Sequence, residues 1–138
     1  MFEQILHIRN DVAEVQRASQ AVTGLLESQS LDPHFVHTVN LGLEEAITNV
    51  LKYGYDDEQQ HQIEITLRLT ESELQMVVAD DGHEFNPLQQ AEPDTGKPLE
   101  EREPGGLGIF FLRKLFDEVQ YRREAQRNLL TLRKRLPD

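Results

Sequence analysis

Residues 43–55 read LEEAITNVLKYGY. Leu43, Ala46, Ile47 and Val50 recur at helical spacing, so this stretch is the core-facing stripe of an α-helix. The same helix carries Glu45 and Asn49 beside that stripe. At about 100° per residue the two side chains share one face, offset by about 40°. Asn is a mediocre helix former and is better placed at a cap. A carboxylate and an amide set side by side next to a buried stripe make a candidate site.

Working outward, Asp32-Pro33 supplies a cap and a proline for the first helical position, so this helix runs from there to about Tyr53 and ends at Gly54. An earlier helix spans about 11–28, capped by Asn10 or Asp11, with Val12, Val15, Val22, Leu25 and Leu26 as its apolar stripe. Residues 2–8 read as a first strand. Ile63, Ile65, Leu67 and Leu69 alternate strictly, and Leu74, Met76 and Val78 repeat the alternation. The short turn around Glu71–Glu73 between them predicts an antiparallel hairpin.

The second of these strands ends in ADDGHEFNP, dense with turn formers. A polar, proline-containing stretch follows, from about Leu88 to Glu103. A loop of that length inside one domain points to function or mobility. PGGLGIFFLRKLFDEV then opens a glycine-rich turn into an apolar helix. Two last strands fall at about 117–123 and 128–135, joined by a turn near Ala125–Arg127. Helices on one face of a mixed, mainly antiparallel sheet is the packing this order predicts.

Composition narrows the function. The chain has 138 residues, fitting one domain, and a formal net charge of −11. That charge disfavours direct nucleic-acid binding, which depends on neutralising phosphates with Lys and Arg. YRREAQRNLLTLRKRL is locally basic and leaves room for a small positive face. There is no cysteine, hence no disulfide or thiolate metal site, which fits a reducing cytoplasm. No apolar run reaches the length of a membrane span, and MFEQILHIRND lacks the pattern of a signal peptide. His34 and His37 share a helix face without an evident third ligand, so the histidines make no metal pattern. His83 falls in the turn as an incidental residue.

Each motif is modest alone. Glu45 and Asn49 fit the polar flank of an amphipathic helix, and Asp80-Asp81-Gly82 fits a plain turn. Gly105, Gly106 and Gly108 lack G-x-G-x-x-G spacing, although a glycine-rich turn at a helix N-terminus can cradle phosphate. Their order is more specific: a helix with Glu-x-x-x-Asn, a strand ending Asp-x-Gly, a long loop, then Gly-x-Gly opening a helix. This order resembles the GHKL superfamily of ATP-binding domains. LEEAITNVLKYGY, VVADDGHEFNP and GGLGIFFLRKLFDEVQY are most similar to the anti-sigma-factor serine/threonine kinases of bacterial partner-switching systems, across essentially the whole chain.

The resemblance implies a GHKL-type α/β sandwich over residues 1–138, with an ATP lid at about 88–105. It implies that Glu45 is the general base toward the attacking hydroxyl and that Asn49 is a magnesium ligand. Asp80 would accept the adenine amino group, with Gly82 letting the backbone approach the base. Gly105, Gly106 and Gly108 would meet the phosphates, and Lys52 and Arg113 are further candidate phosphate contacts. The implied cofactors are ATP and Mg2+. The implied partners are an antagonist protein, phosphorylated on Ser or Thr, and a sequestered sigma factor or other effector; a homodimer is compatible with this. The implied setting is cytoplasmic. Two departures stand out: Tyr53 replaces a common His, and Arg127-Asn128 replaces a common Gly-Thr before the last strand. A non-catalytic nucleotide-gated binding module and the catalytic fragment of a histidine kinase are the alternatives.

Overall fold

The computed structural model describes residues 2–57, 59–89 and 108–137. In chain order these form β1 (Phe2–Arg9), α1 (Ala13–Ser28), α2 (Pro33–Tyr53), β2 (Gln62–Leu69), β3 (Glu73–Asp80), a 3-10 turn over Pro87–Gln89, α3 (Gly108–Leu115), β4 (Glu118–Glu124) and β5 (Arg127–Arg135). One five-stranded sheet has the order β1-β2-β3-β5-β4. The lid segment expected at 88–105 lies outside the described residues from Gln90 onward, as do Gly105 and Gly106.

All four ladders among the described residues are antiparallel, so the sheet they form is antiparallel throughout instead of mixed. The connections explain why. Between β1 and β2 the chain passes through two antiparallel helices, which returns it reversed; one crossover helix would have made the pair parallel. The single crossover, through α3, does send β4 the same way as β3. β5 then folds back between them and pairs with both.

Strand alternation decides which face is covered. Ile63, Ile65, Leu74 and Met76 point to the helices together with Leu130 and Leu132, and all are buried. They meet Val22 and Leu26 of α1 and Val39, Leu43 and Ile47 of α2, each fully buried. Burying side chains of this size contributes about 1.5–3 kcal/mol apiece before entropy is counted. Gly42 stands inside α2, where glycine costs about 1 kcal/mol relative to alanine. A Cβ there would overlap the Phe116 ring, so the missing methyl lets the end of α3 dock on α2.

Some local readings need correction. Val12 is 77% exposed and outside the core, because the chain is still turning there. Asp11 accepts the Ala13 amide at 3.0 Å, whereas the Asn10 side chain accepts the His61 amide at 2.8 Å and ties β1 to the start of β2. Glu14 is buried instead of Val12, between Arg9 and Arg17. The expected helix end at Gly54 is right, yet its φ of −81° is ordinary helix and not left-handed. The basic stretch presents paired arginines: Arg122 meets Glu124 at 2.9 Å, Arg127 meets Glu64 at 3.5 Å, and Arg123 donates to the Gly82 carbonyl at 2.8 Å. Among the described residues no helix is long and apolar enough to cross a membrane.

Candidate nucleotide site

A cavity opens where the C-terminal half of α2 faces the ends of β3, β4 and β5. Its empty space is about 370 Å³, counting the open mouth. Ala46 and Val50 of α2, Val78 of β3, Tyr121 of β4 and Leu130 of β5 form largely apolar walls. Asn49, Asp80 and Asn128 supply the polar groups. Apolar walls with a few fixed polar atoms are what a flat heterocyclic base requires.

Asn49 is 3% exposed, and neither atom of its amide has a hydrogen-bond partner among the described residues. Leaving such a group unpaired costs about 1–3 kcal/mol. One turn earlier, Glu45 lies outside the cavity lining, with its Oε1 also buried and unpaired. Burial pushes the Glu45 carboxyl above its usual range, while the Lys52 charge pulls the other way. An unpaired hard oxygen on Asn49 and a carboxyl made more basic by desolvation fit a magnesium-bound polyphosphate and a proton to be removed. Among the described residues no group of three His, Asp or Glu is arranged to hold a metal ion by itself.

Asp80 closes β3 and is buried. Its Oδ1 accepts the Gly82 amide at 2.8 Å and the Asn128 amide at 2.9 Å. Burial raises its carboxyl pKa, and these two hydrogen bonds act against the rise. Gly82 packs against Gly54, and the next amide, of His83, donates to the Gly54 carbonyl at 2.7 Å. The His83 ring turns outward to Asp56 at 3.2 Å, consistent with an incidental side chain. Tyr53 stacks on Phe85 with centroids 4.6 Å apart and 19° between planes. That stack holds Phe85 in the cavity wall, beside Pro87.

The structure thus brings Asn49 and Asp80 to one cavity and makes Gly82 part of the turn beneath it. Lys52 is exposed, with its ammonium 5.7 Å from the Tyr53 ring. Arg113 is exposed and donates to the Leu88 carbonyl at 3.0 Å, tying α3 to the 3-10 turn. Neither lines the cavity. Gly108 begins α3. Sequence reasoning missed Tyr121, Phe85 and Pro87 as cavity residues, and singled out Asn128 only as a departure from a common Gly-Thr. A signal for Asn128 was present: it continues the inward alternation of Leu130 and Leu132, so a polar side chain there is buried.

Residues 8–134 match a family described as a histidine kinase-like ATPase domain. The serine/threonine-protein kinase BtrW of Bordetella bronchiseptica is 30% identical over 95 residues, 69% of this chain and 67% of its own. The serine-protein kinase RsbW of Oceanobacillus iheyensis is 26% identical over 108 residues, 75% and 68% of the two chains. RsbW of Bacillus subtilis is 27% identical over 90 residues, 62% and 56%. Among solved structures, the RsbU and RsbW domains of a Mycobacterium tuberculosis protein align with a TM-score of 0.70 at 13% identity. The alignment covers 99% of this chain and 32% of that one, so this chain spans about a third of it. A histidine kinase domain from Erythrobacter litoralis aligns at 0.55 and 15% identity, over 90% of this chain and 60% of that chain. At these identities the structures bear on the fold alone.

Proposed function

The chain belongs to the histidine kinase-like ATPase domain family and is similar to the serine kinases named above, and from that premise we propose that it is an ATP- and magnesium-dependent protein serine/threonine kinase. It phosphorylates an antagonist protein and sequesters a sigma factor or other effector until the unphosphorylated antagonist competes. The observation that carries this reading is on α2: Asn49 with both amide atoms buried and unpaired, and Glu45 one turn away with its carboxyl made more basic by burial.

Bound ATP with magnesium supplies the transferable phosphoryl group and the neutralisation of its charge. The protein's own residues do the rest. Asp80 accepts a hydrogen bond from the base at Oδ2, since both of its bonds to described residues fall on Oδ1. Ala46, Val50, Val78 and Leu130 shield the base from water. Asn49 Oδ1 offers an uncharged ligand. Glu45 would take the proton from the substrate hydroxyl as that oxygen bonds to the γ-phosphorus and the bond to the bridging oxygen breaks, with ADP as the leaving group. The amide end of α3 at Gly108 would meet phosphate charge, and Gly105, Gly106, Lys52 and Arg113 are further phosphate contacts in this reading.

Phosphate adds nearly two negative charges to the substrate, which weakens its hold on a chain of net charge −11. The proposed setting is the cytoplasm, where ATP and magnesium are available. The test is incubation with labelled ATP and a candidate antagonist, followed by phosphoamino-acid analysis. Phosphoserine or phosphothreonine on the antagonist is the expected product. Absence of transfer with nucleotide bound would reduce the protein to a nucleotide-gated binding module, and label on histidine of this chain would make it a histidine kinase fragment.

A further inference from the structure

Asn128 departs from the residue expected at its position, and the structure makes it a hub. It is 6% exposed. Its Nδ2 donates to Asp80 Oδ1 at 2.9 Å and to the His83 carbonyl at 2.7 Å. Its Oδ1 accepts the Tyr121 hydroxyl at 2.6 Å, Arg123 Nη1 at 3.1 Å and, more distantly, the Phe85 amide at 3.4 Å. An amide has two donor hydrogens and two acceptor lone pairs, so nothing is left to offer a ligand. The orientation is also forced. Turned over, the amide oxygen would face the Asp80 carboxylate and the His83 carbonyl, and the NH2 would face a guanidinium.

We propose that Asn128, braced by Tyr121 and Arg123, is a positioning residue that holds Asp80 with Oδ1 engaged and Oδ2 toward the cavity. This wall then accepts hydrogen bonds but cannot donate them. The inference rests on the ATP-site reading above and adds what sets base selectivity. A 6-amino purine donates to Oδ2. A 6-oxo purine sets its carbonyl oxygen against a carboxylate and finds no donor on this wall, because the Tyr121 hydroxyl hydrogen and both Asn128 hydrogens are already used. The Asn128 bond also opposes the rise that burial imposes on the Asp80 carboxyl.

The test uses Asn128→Thr and Asn128→Val, which match in shape and both suit a strand. The Thr hydroxyl retains a donor for Asp80, and Val has none. In nucleotide-free protein, the carboxyl carbon of Asp80 followed by NMR should titrate at higher pH in Asn128→Val, with Asn128→Thr closer to wild type. In equilibrium binding, the preference for ATP over ITP should fall by about tenfold in Asn128→Val and be largely restored in Asn128→Thr. A merely structural role would weaken both nucleotides alike and leave the ratio unmoved. An unchanged ratio, or an unchanged Asp80 titration, overturns the proposal. If Asn128→Val does not fold, Tyr121→Phe removes the brace and should shift the ratio a few-fold in the same direction; no shift overturns it equally. Wild-type protein that binds neither nucleotide defeats the ATP-site reading and this inference together. Wild type that prefers ATP, with variants that prefer it equally, defeats this inference alone.

Discussion

Gly82 lies against the backbone of Gly54 so closely that a methyl group on Gly82 would collide with the Gly54 carbonyl oxygen and come within 2.8 Å of its carbonyl carbon. The end of α2 and the turn after β3 therefore meet backbone to backbone, and the His83 amide locks them at 2.7 Å. Neither partner is a side chain that can swing away. Gly82→Ala should cost about 1–3 kcal/mol of stability and also weaken ATP binding, since the same turn fixes Asp80. Thermal unfolding and nucleotide titration of the variant check both halves. An alanine variant as stable as wild type would mean that the turn yields freely.

Glu45→Gln keeps the shape but removes the proton acceptor, so phosphoryl transfer should fall by about 10²–10⁴-fold with ATP binding little changed. The pH profile gives a second signature. A base works only when deprotonated, and burial raises the Glu45 pKa. Transfer should therefore decline as pH falls through a value above the ordinary glutamate range. Rate against pH should show that acidic limb in wild type, and the residual rate of Glu45→Gln should lack it.

The fold was legible because its elements have strong periodicity: α2 from its Asp32 cap to Tyr53, and β2 and β3 from their strict alternation. What misled at the start of α1 was hydrophobicity without position. Val12 looks like the first residue of a stripe, yet the chain bends there, and the buried residue is Glu14. The Arg17 partner stands at helical i,i+3 spacing from Glu14, but Arg9 ends β1 and completes the pairing that makes burial tolerable only once the strand and helix have packed. The site divides the same way. Asn49 and Asp80 stood out through local motifs, whereas Asn128 lies 48 residues from Asp80 and meets it only through the β3–β5 register.

Glu14 should make stability depend on acid. Hydrogen bonds from Arg17 first, and then from Arg9, lower its carboxyl from 4.5 to about 2. A carboxyl depressed in the folded state contributes stability that is present above its unfolded value and lost as pH falls through the folded one. The expected loss runs from about pH 4.5 down toward pH 2. Chemical unfolding of wild type and Glu14→Gln at neutral pH and near pH 3 should show the two converging in acid. A difference that persists undiminished would remove Glu14 as the cause.

The β4–β5 loop invites a stabilising change. Ala125 and Gln126 hold φ of 52° and 63°, the left-handed pair of a two-residue hairpin turn closed by Glu124 and Arg127. Neither residue favours that region. Replacing the pair with Asn-Gly should raise stability by about 0.5–1 kcal/mol and leave ATP binding unchanged, as read by the unfolding midpoint in denaturant.

Asn49 and Asn40, both on α2, should respond in opposite ways to alanine. The Asn40 amide donates to the Thr23 hydroxyl at 2.7 Å and thereby joins α2 to α1. Its loss should cost about 1 kcal/mol of stability and leave magnesium-dependent ATP binding intact. Asn49 makes no hydrogen bond to a described residue, so the nucleotide-free protein loses nothing of that kind when the amide is removed. Asn49→Ala should unfold close to where wild type does, yet bind ATP in magnesium more weakly, with little difference once the metal is chelated. Paired titrations with and without magnesium, set beside unfolding curves for both variants, separate the two roles. If Asn49→Ala binds magnesium-ATP as tightly as wild type, its unpaired amide is not a metal ligand. If it instead unfolds like Asn40→Ala, the amide contributes to the fold after all.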